Sequence, residues 1–245
     1  MTEPLASDPW RALCLGSAAL VLLVTAGVLA AGVLAAGVLP GEPALRHVIL
    51  DTASPRAVEL ARQVNLGGTW RILVPATVLL LAGCPPARRR WWLWCATLVL
   101  GPAVGEAWQE LVGRPRPVGS ALGFPSGHAT ATATFTVVAI YLVERTHLGP
   151  AGRRVLEVIP VLGTIAVGLA RLVLGAHWPA DVLAGFALGA ACAAAAAWWD
   201  AEHVAPPDPS AERAPEASPH ALGVTGDVRT PPRDLDAPDR WRRSG

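Results

Sequence analysis

Long apolar stretches alternate with short polar ones along most of the chain. The first, residues 13–39, carries no charge and is long enough to cross a hydrocarbon core about 30 Å thick. Five more apolar stretches follow, at residues 70–81, 91–112, 129–143, 155–174 and 182–199. Together they predict an all-α integral membrane protein with a bundle of six transmembrane helices.

The polar segment 40–69, which separates the first two apolar stretches, contains signals for a short helix. Ser54 is a favourable capping residue, Pro55 fits the first helical position, and Gly67 and Gly68 are typical of a helix end. We expect this helix to lie on the membrane surface, because it is too short and too polar to span.

The composition changes after residue 199. Residues 200–245 are rich in proline and charge and contain almost no large aliphatic side chains, which predicts a disordered tail. The chain therefore divides into a membrane domain, residues 1–199, and a tail, residues 200–245.

Composition supports the membrane class and excludes others. The chain is 52% hydrophobic and 16% charged, with a mean hydropathy of +0.41. A net charge of +1 without a basic, aromatic-rich stripe gives no indication of a nucleic-acid partner. The four cysteines show no CxxC spacing and are interpreted as small buried residues rather than metal ligands or disulfides.

Arginine placement predicts the topology. If the spans alternate, the following arginines share one side, which the positive-inside rule assigns to the cytoplasm together with both termini: Arg11, Arg88, Arg89, Arg90, Arg145, Arg153 and Arg154. Arg114 and Arg116 fall on the external side and break the rule. A charge that violates a topological preference usually has another role.

Three polar stretches converge on that external side: QELVGRPRP at 109–117, PSGH at 125–128 and ARLVLGAHWPAD at 170–181. Taken singly, their residues have ordinary interpretations. Ser126 would be a helix cap, Arg116 a headgroup anchor and His177 an interfacial histidine. At one membrane depth, however, these groups form a candidate anion site.

The chemistry of these residues suits a phosphoryl group. Arginine matches phosphate oxygens in a bidentate manner, and helix N-termini bind anions. A neutral His177 can attack phosphorus, and Asp181, four residues later, can fix its ring. His128 is then available to protonate the leaving oxygen and later to activate water.

The three stretches resemble the motifs of the phosphatidic acid phosphatase type 2 superfamily: K-x6-R-P, P-S-G-H and S-R-x5-H-x3-D. The resemblance covers roughly residues 10–199. It implies a six-helix membrane bundle, similar in its core to vanadium haloperoxidases, that removes phosphate from lipid phosphates without a metal or other cofactor. It also implies roles for single residues: His177 as nucleophile, Asp181 as its orienting partner, His128 as general acid and base, and Arg116, Arg171, Ser126 and the backbone of Gly127 as phosphate ligands.

The chain departs from these motifs in two places. Gln109 stands where the first motif has lysine, and losing a charge-assisted contact costs about 1.5–3 kcal/mol. We expect Gln109 to lie beside the phosphate and Arg114 to compensate for the missing charge. Ala170 stands where the third motif usually has serine.

The expected function is dephosphorylation of a lipid phosphate or pyrophosphate at the external face of a bacterial cytoplasmic membrane. Polyprenyl pyrophosphate, phosphatidic acid and phosphatidylglycerophosphate all remain open as substrates, as does the oligomeric state. The expected partners are this lipid substrate and the surrounding membrane lipids. The alternative is a binding or carrier protein that kept the anion pocket but lost turnover with the lysine.

Overall fold

The computed structural model describes residues 8–35 and 37–203. In this part of the chain the backbone is helical almost throughout, with these elements in order: α1 (Asp8–Ala35), α2 (Glu42–Thr52), α3 (Pro55–Asn65), a 3-10 turn (Leu66–Gly68), α4 (Trp70–Gly83), α5 (Pro85–Arg88), α6 (Trp91–Val112), α7 (Gly127–Glu144), α8 (Pro150–Val173) and α9 (Pro179–His203). The all-α class is therefore confirmed. The predicted tail lies outside the described residues from 204 onward.

The six apolar stretches of the sequence correspond to α1, α4, α6, α7, α8 and α9. Within the described residues, three of these helices, α1, α8 and α9, are long and apolar enough to cross a membrane. α3 with its 3-10 turn and α4, which are bent by 51° to each other, together form a fourth candidate span. The predicted number of six spans thus stays a prediction.

Helix α7 lies at the centre of the bundle and packs against α6, α8 and α9. Its neighbours approach closely because they present glycine. A Cβ added at Gly101 of α6 would lie 2.7 Å from Thr134 Oγ1, and one at Gly185 of α9 would lie 2.7 Å from the carbonyl oxygen of Ser126. Glycine at these two positions therefore allows α6 and α9 to approach α7 closely.

A polar cluster joins the helices at one end of the bundle. Asp200 of α9 accepts hydrogen bonds from the Tyr141 hydroxyl at 2.6 Å and from Arg90 at 2.8 Å, and pairs with Arg145 at 3.3 Å. These contacts explain why α9 continues to His203, past the predicted boundary at residue 199. Arg90 and Arg145 thus lie at the same end of the bundle.

The segment between α1 and α4 lies at the other end. The predicted helix is present as α3, and its cap is confirmed by the Ser54 hydroxyl, which accepts from the Ala57 N–H at 3.2 Å. Sequence analysis missed α2. That helix starts after Gly41, which has no capping side chain, and Glu42 instead reaches back to accept from the Leu39 N–H at 2.8 Å.

Candidate active site

The three polar stretches meet at the end of the bundle opposite Asp200. The start of α7 is fastened to the start of α9, because the Ser126 N–H donates to the Asp181 carbonyl at 2.8 Å. The Gln109 amide of α6 donates to the carbonyl of Pro125 at 2.7 Å. The PSGH segment is thus held between the first and third stretches.

His177 lies in the loop between α8 and α9 and is only 2% exposed. Its Nδ1 is 3.3 Å from Oδ2 of Asp181, which also accepts from the Trp178 N–H at 2.9 Å. Burial lowers the pKa of His177, against the opposing effect of the Asp181 hydrogen bond, and so favours the neutral ring. With Nδ1 facing the carboxylate, Nε2 is the nitrogen available for chemistry.

The other oxygen of Asp181 is bound by Arg114. The Arg114 Nη1 donates to Asp181 Oδ1 at 2.6 Å, and its Nη2 donates to Glu42 of α2. Glu42 also accepts from the Ala180 N–H at 3.0 Å. The sequence analysis expected Arg114 to supply the charge of the missing lysine at the phosphate; in the structure its terminal nitrogens are bound to two buried carboxylates.

Arg116 and Arg171 contribute the remaining positive charge. Arg116 is half-buried, and its Nε donates to the Leu122 carbonyl at 3.0 Å. Arg171, near the end of α8, donates from Nη1 to the side-chain oxygen of Asn65 at 2.8 Å. The charges of both arginines contribute to the lowered pKa of His177, so both guanidinium groups lie within electrostatic range of that imidazole.

Ser126 occupies the N-cap position of α7, yet its side chain does not cap the helix. Within the described part of the chain, its buried hydroxyl has no hydrogen-bond partner. The ordinary interpretation of Ser126 as a side-chain cap is therefore wrong. An unpaired buried hydroxyl beside the free N–H groups of a helix N-terminus is a ready donor for an anion.

Gly127 and His128 form the first turn of α7. Gly68, in the turn before α4, packs directly against the His128 ring. A Cβ added at Gly68 would lie 2.7 Å from Cδ2 of that imidazole. A side chain at position 68 would therefore displace the histidine.

Sequence analysis missed three residues of this site: Glu42, Asn65 and Gly68. Glu42 and Asn65 pair with residues 72 and 106 positions away, and such distant pairing leaves no local pattern. Gly68 was interpreted only as a helix terminator. The sequence contained only an indirect signal for Glu42. The unexpected position of Arg114 implied a negatively charged partner, but nothing in the sequence identified that partner.

An apolar groove of about 1150 Å³ runs along the bundle from a point close to the site. Its lining includes Thr132, one turn after His128, and at the far end Arg89 and Arg145. The walls between are mostly aliphatic or aromatic and come from α4, α7 and α8: Leu73, Leu80, Phe135, Ala139, Ile159 and Val167. Such a groove fits a hydrocarbon chain.

Metal-ligating side chains do not cluster at the site. In residues 8–35 and 37–203 there is no group of three or more His, Cys, Asp or Glu residues with the geometry to hold an ion. The four cysteines are free thiols.

Comparisons with known sequences agree with the motifs. The sequence model of the PAP2 superfamily matches residues 90–204. Phosphatidylglycerophosphatase B of Bacillus subtilis is 30% identical over 157 residues, covering 57% of this chain and 77% of the relative. Decaprenylphosphoryl-5-phosphoribose phosphatase of Mycobacterium tuberculosis is 36% identical over 132 residues, covering 49% of this chain and 66% of the relative.

The fold gives the same result. The crystal structure of a transmembrane PAP2 type phosphatidylglycerolphosphate phosphatase from Bacillus subtilis superimposes with a TM-score of 0.67 at 23% identity, covering 78% of this chain and 98% of that one. The resemblance found in the motifs is thereby confirmed, and the chain belongs to the PAP2 superfamily as an all-helical integral membrane protein.

Proposed function

We propose that this protein is a lipid phosphatase that hydrolyses a lipid phosphate or pyrophosphate through a phosphohistidine on His177. The observation that carries the proposal is the buried His177–Asp181 pair beside two arginines and an unpaired serine hydroxyl. This arrangement combines a neutral, oriented nucleophile with donors for an anion.

In the first step, Nε2 of His177 attacks phosphorus and the bond between phosphorus and the lipid oxygen breaks. His128 donates a proton to that oxygen, so the lipid alcohol, or lipid monophosphate, leaves in its neutral or singly protonated form. The charge of the incoming phosphate offsets Arg116 and Arg171, which favours the protonated form of His128. Asp181 stabilises the positive charge that develops on the ring of His177.

In the second step, His128 accepts a proton from water while the water oxygen attacks the phosphohistidine. The bond between phosphorus and Nε2 breaks, inorganic phosphate leaves, and His177 returns to its neutral form. One histidine thus serves as acid and then as base, which requires no further proton carrier.

The proposed phosphate ligands are Arg116, Arg171, the Ser126 hydroxyl and the N–H groups at the start of α7, including that of Gly127. Gln109 takes a different role from that expected, because its amide already holds the Pro125 carbonyl. It would hold the PSGH turn in place from the position where the first motif of the superfamily has lysine.

The substrate class follows from the groove and the relatives. An apolar groove beside the site suits an acyl or prenyl chain, and the two relatives are named for phosphatases of lipid-linked substrates. We propose phosphatidylglycerophosphate and polyprenyl-linked phosphates as the first substrates to test. The site would face outward, with both termini in the cytoplasm, because Arg90 and Arg145 lie at the opposite end of the bundle.

The test is phosphate release by the purified full chain in mixed micelles containing EDTA. The panel comprises phosphatidylglycerophosphate, decaprenylphosphoryl-5-phosphoribose, undecaprenyl pyrophosphate and phosphatidic acid. We expect turnover of at least one substrate, inhibition by orthovanadate, and a loss of roughly a thousandfold or more in kcat for His177→Ala.

Three results would overturn the proposal: no release from any substrate, a strict requirement for Mg²⁺, or full activity of His177→Ala. If the wild type binds these lipids but releases no phosphate, the carrier interpretation is correct instead.

A further inference from the structure

A second buried carboxylate lies behind Asp181. Glu42 is 5% exposed and Arg114 is 3% exposed, and their ion pair links α2 to the oxygen of Asp181 that faces away from His177. We propose that Glu42 and Arg114 are positioning residues that hold Asp181, and through it His177, in the orientation required for phosphoryl transfer. This inference rests on the proposed function.

The geometry fixes Asp181 from both sides. Oδ1 accepts from Arg114 at 2.6 Å, while Oδ2 accepts from the Trp178 N–H at 2.9 Å and faces Nδ1 of His177 at 3.3 Å. A carboxylate bound at both oxygens cannot rotate without breaking a contact. Removing Arg114 leaves only the contacts at Oδ2, so Asp181 and His177 gain freedom together.

Glu42 completes the arrangement in two ways. Its carboxylate accepts from the N–H groups of Leu39 and Ala180, which joins the turn before α2 to the first turn of α9. It also neutralises Arg114. Without Glu42, the charge of Arg114 would be balanced by Asp181 alone, beside a pocket that already contains two arginines.

This charge balance predicts that removing Arg114 and removing Glu42 change the pKa of His177 in opposite directions. Among the described residues, the charged and titratable groups around His177 and its loop come from five parts of the chain: Glu42 and Arg46 of α2, Arg114 and Arg116 between α6 and α7, His128 of α7, Arg171 of α8 and Asp181 of α9. Arg114→Gln removes a positive charge and should raise the pKa of His177. Glu42→Gln removes a negative charge and should lower it.

The experiment measures the His177 titration directly and activity separately. Full-length protein carrying ¹⁵N-histidine is titrated by NMR in detergent, with His177→Ala to assign the signal. We expect opposite shifts of roughly 0.5 to 1 pH unit in Arg114→Gln and Glu42→Gln. In both variants kcat should fall roughly tenfold to a hundredfold, with KM changed less than about threefold, because the phosphate ligands remain.

The charge-balanced double variant separates the two contributions. Glu42→Gln combined with Arg114→Gln should return the pKa of His177 close to its wild-type value while kcat stays low, because the bidentate fixing of Asp181 is still missing. Glu59→Gln and Arg62→Gln provide matched controls, since this ion pair is exposed on α3. Both controls should leave the titration and the activity unchanged.

Shifts in the same direction, or unchanged kcat and titration in both single variants, would overturn the inference. Should a single variant fail to fold, the double variant and Arg114→Lys, which keeps the charge but not the two-pronged contact, decide the question through kcat. An inactive wild type would refute the proposed function alone, because the NMR titration still reports whether Glu42 and Arg114 act on His177.

Discussion

Helix α9 carries a buried carboxylate at each end, and the two have different surroundings. Asp200 is 4% exposed and binds a tyrosine hydroxyl and two arginines. Asp181 is fully buried and binds one arginine, one backbone N–H and one histidine ring. Both carboxylates connect α9 to neighbouring segments of the chain.

The difference lies in what surrounds each cluster. At the Asp200 end, the carboxylate is bound by a tyrosine hydroxyl and two arginines, and these contacts connect α9 to the start of α6 and the end of α7. At the Asp181 end, one of the partners is an imidazole, and the nearby buried Ser126 hydroxyl has no hydrogen-bond partner among the described residues. The titratable ring and a free hydroxyl at a helix N-terminus distinguish the Asp181 end. An unpaired buried atom alone does not, because Arg145 Nε at the Asp200 end also has no partner among the described residues.

Replacing each aspartate by asparagine should separate these roles, and Asp181→Asn should lower activity more than any other substitution in this comparison. We expect Asp181→Asn to lower kcat by roughly a thousandfold to ten-thousandfold, because an amide can no longer stabilise a charged His177. Asp200→Asn should leave kcat within about twofold. It should instead destabilise the fold by about 1 to 3 kcal/mol. The loss should be moderate because the side chains of Arg90 and Arg145 are 27% and 18% exposed, so water can partly solvate their charges once the carboxylate is gone.

Steady-state kinetics and thermal unfolding of the two purified variants provide this test, and each variant serves as the control for the other. A large loss of kcat in Asp200→Asn, with the melting temperature unchanged, would refute the division between a reactive and a structural end.

The two ends of α4 allow a smaller test of the same division. Gly68 precedes α4 and touches His128, whereas Gly83 ends it with open space around the position of a Cβ. We expect Gly68→Ala to lower kcat by roughly tenfold to a hundredfold, because the methyl group displaces the general acid by a fraction of an ångström or more. Gly83→Ala should have no measurable effect on kcat.

Equal kcat in these two alanine variants would mean that the position of His128 is not held by the turn before α4. Their circular dichroism spectra should match that of the wild type, which ensures that the comparison concerns the site.

The smallest effect is expected at Gln109. Gln109→Lys can keep a hydrogen bond to the Pro125 carbonyl and adds a cation near the phosphate, so kcat/KM should rise roughly threefold to tenfold. Gln109→Met, which cannot donate, should lower it slightly. A loss of activity in the lysine variant would show that the amide contact with Pro125 matters more than an added charge.

Much of the site could be predicted from the sequence because its chemistry is local. His177 and Asp181 are four residues apart, and PSGH is contiguous, so their spacing alone indicates a shared role. Arg114 was noticed as a topological exception, but its contact with Glu42 could not be predicted, because the two residues lie 72 positions apart in the chain. The surface segment was only partly predicted, since α2 begins without the usual capping residue and is stabilised by contacts with α9.

The central claim is that His177 carries the phosphoryl group, and trapping that group tests it most directly. His128→Ala should slow hydrolysis of the intermediate more than its formation when the substrate has an acidic leaving group that needs no protonation. After brief incubation with such a ³²P-labelled lipid-like phosphate and alkaline quenching, we expect base-stable, acid-labile label on the peptide containing His177. Label on a serine, on another histidine or on no residue, in a variant that still releases the leaving group, would contradict the account.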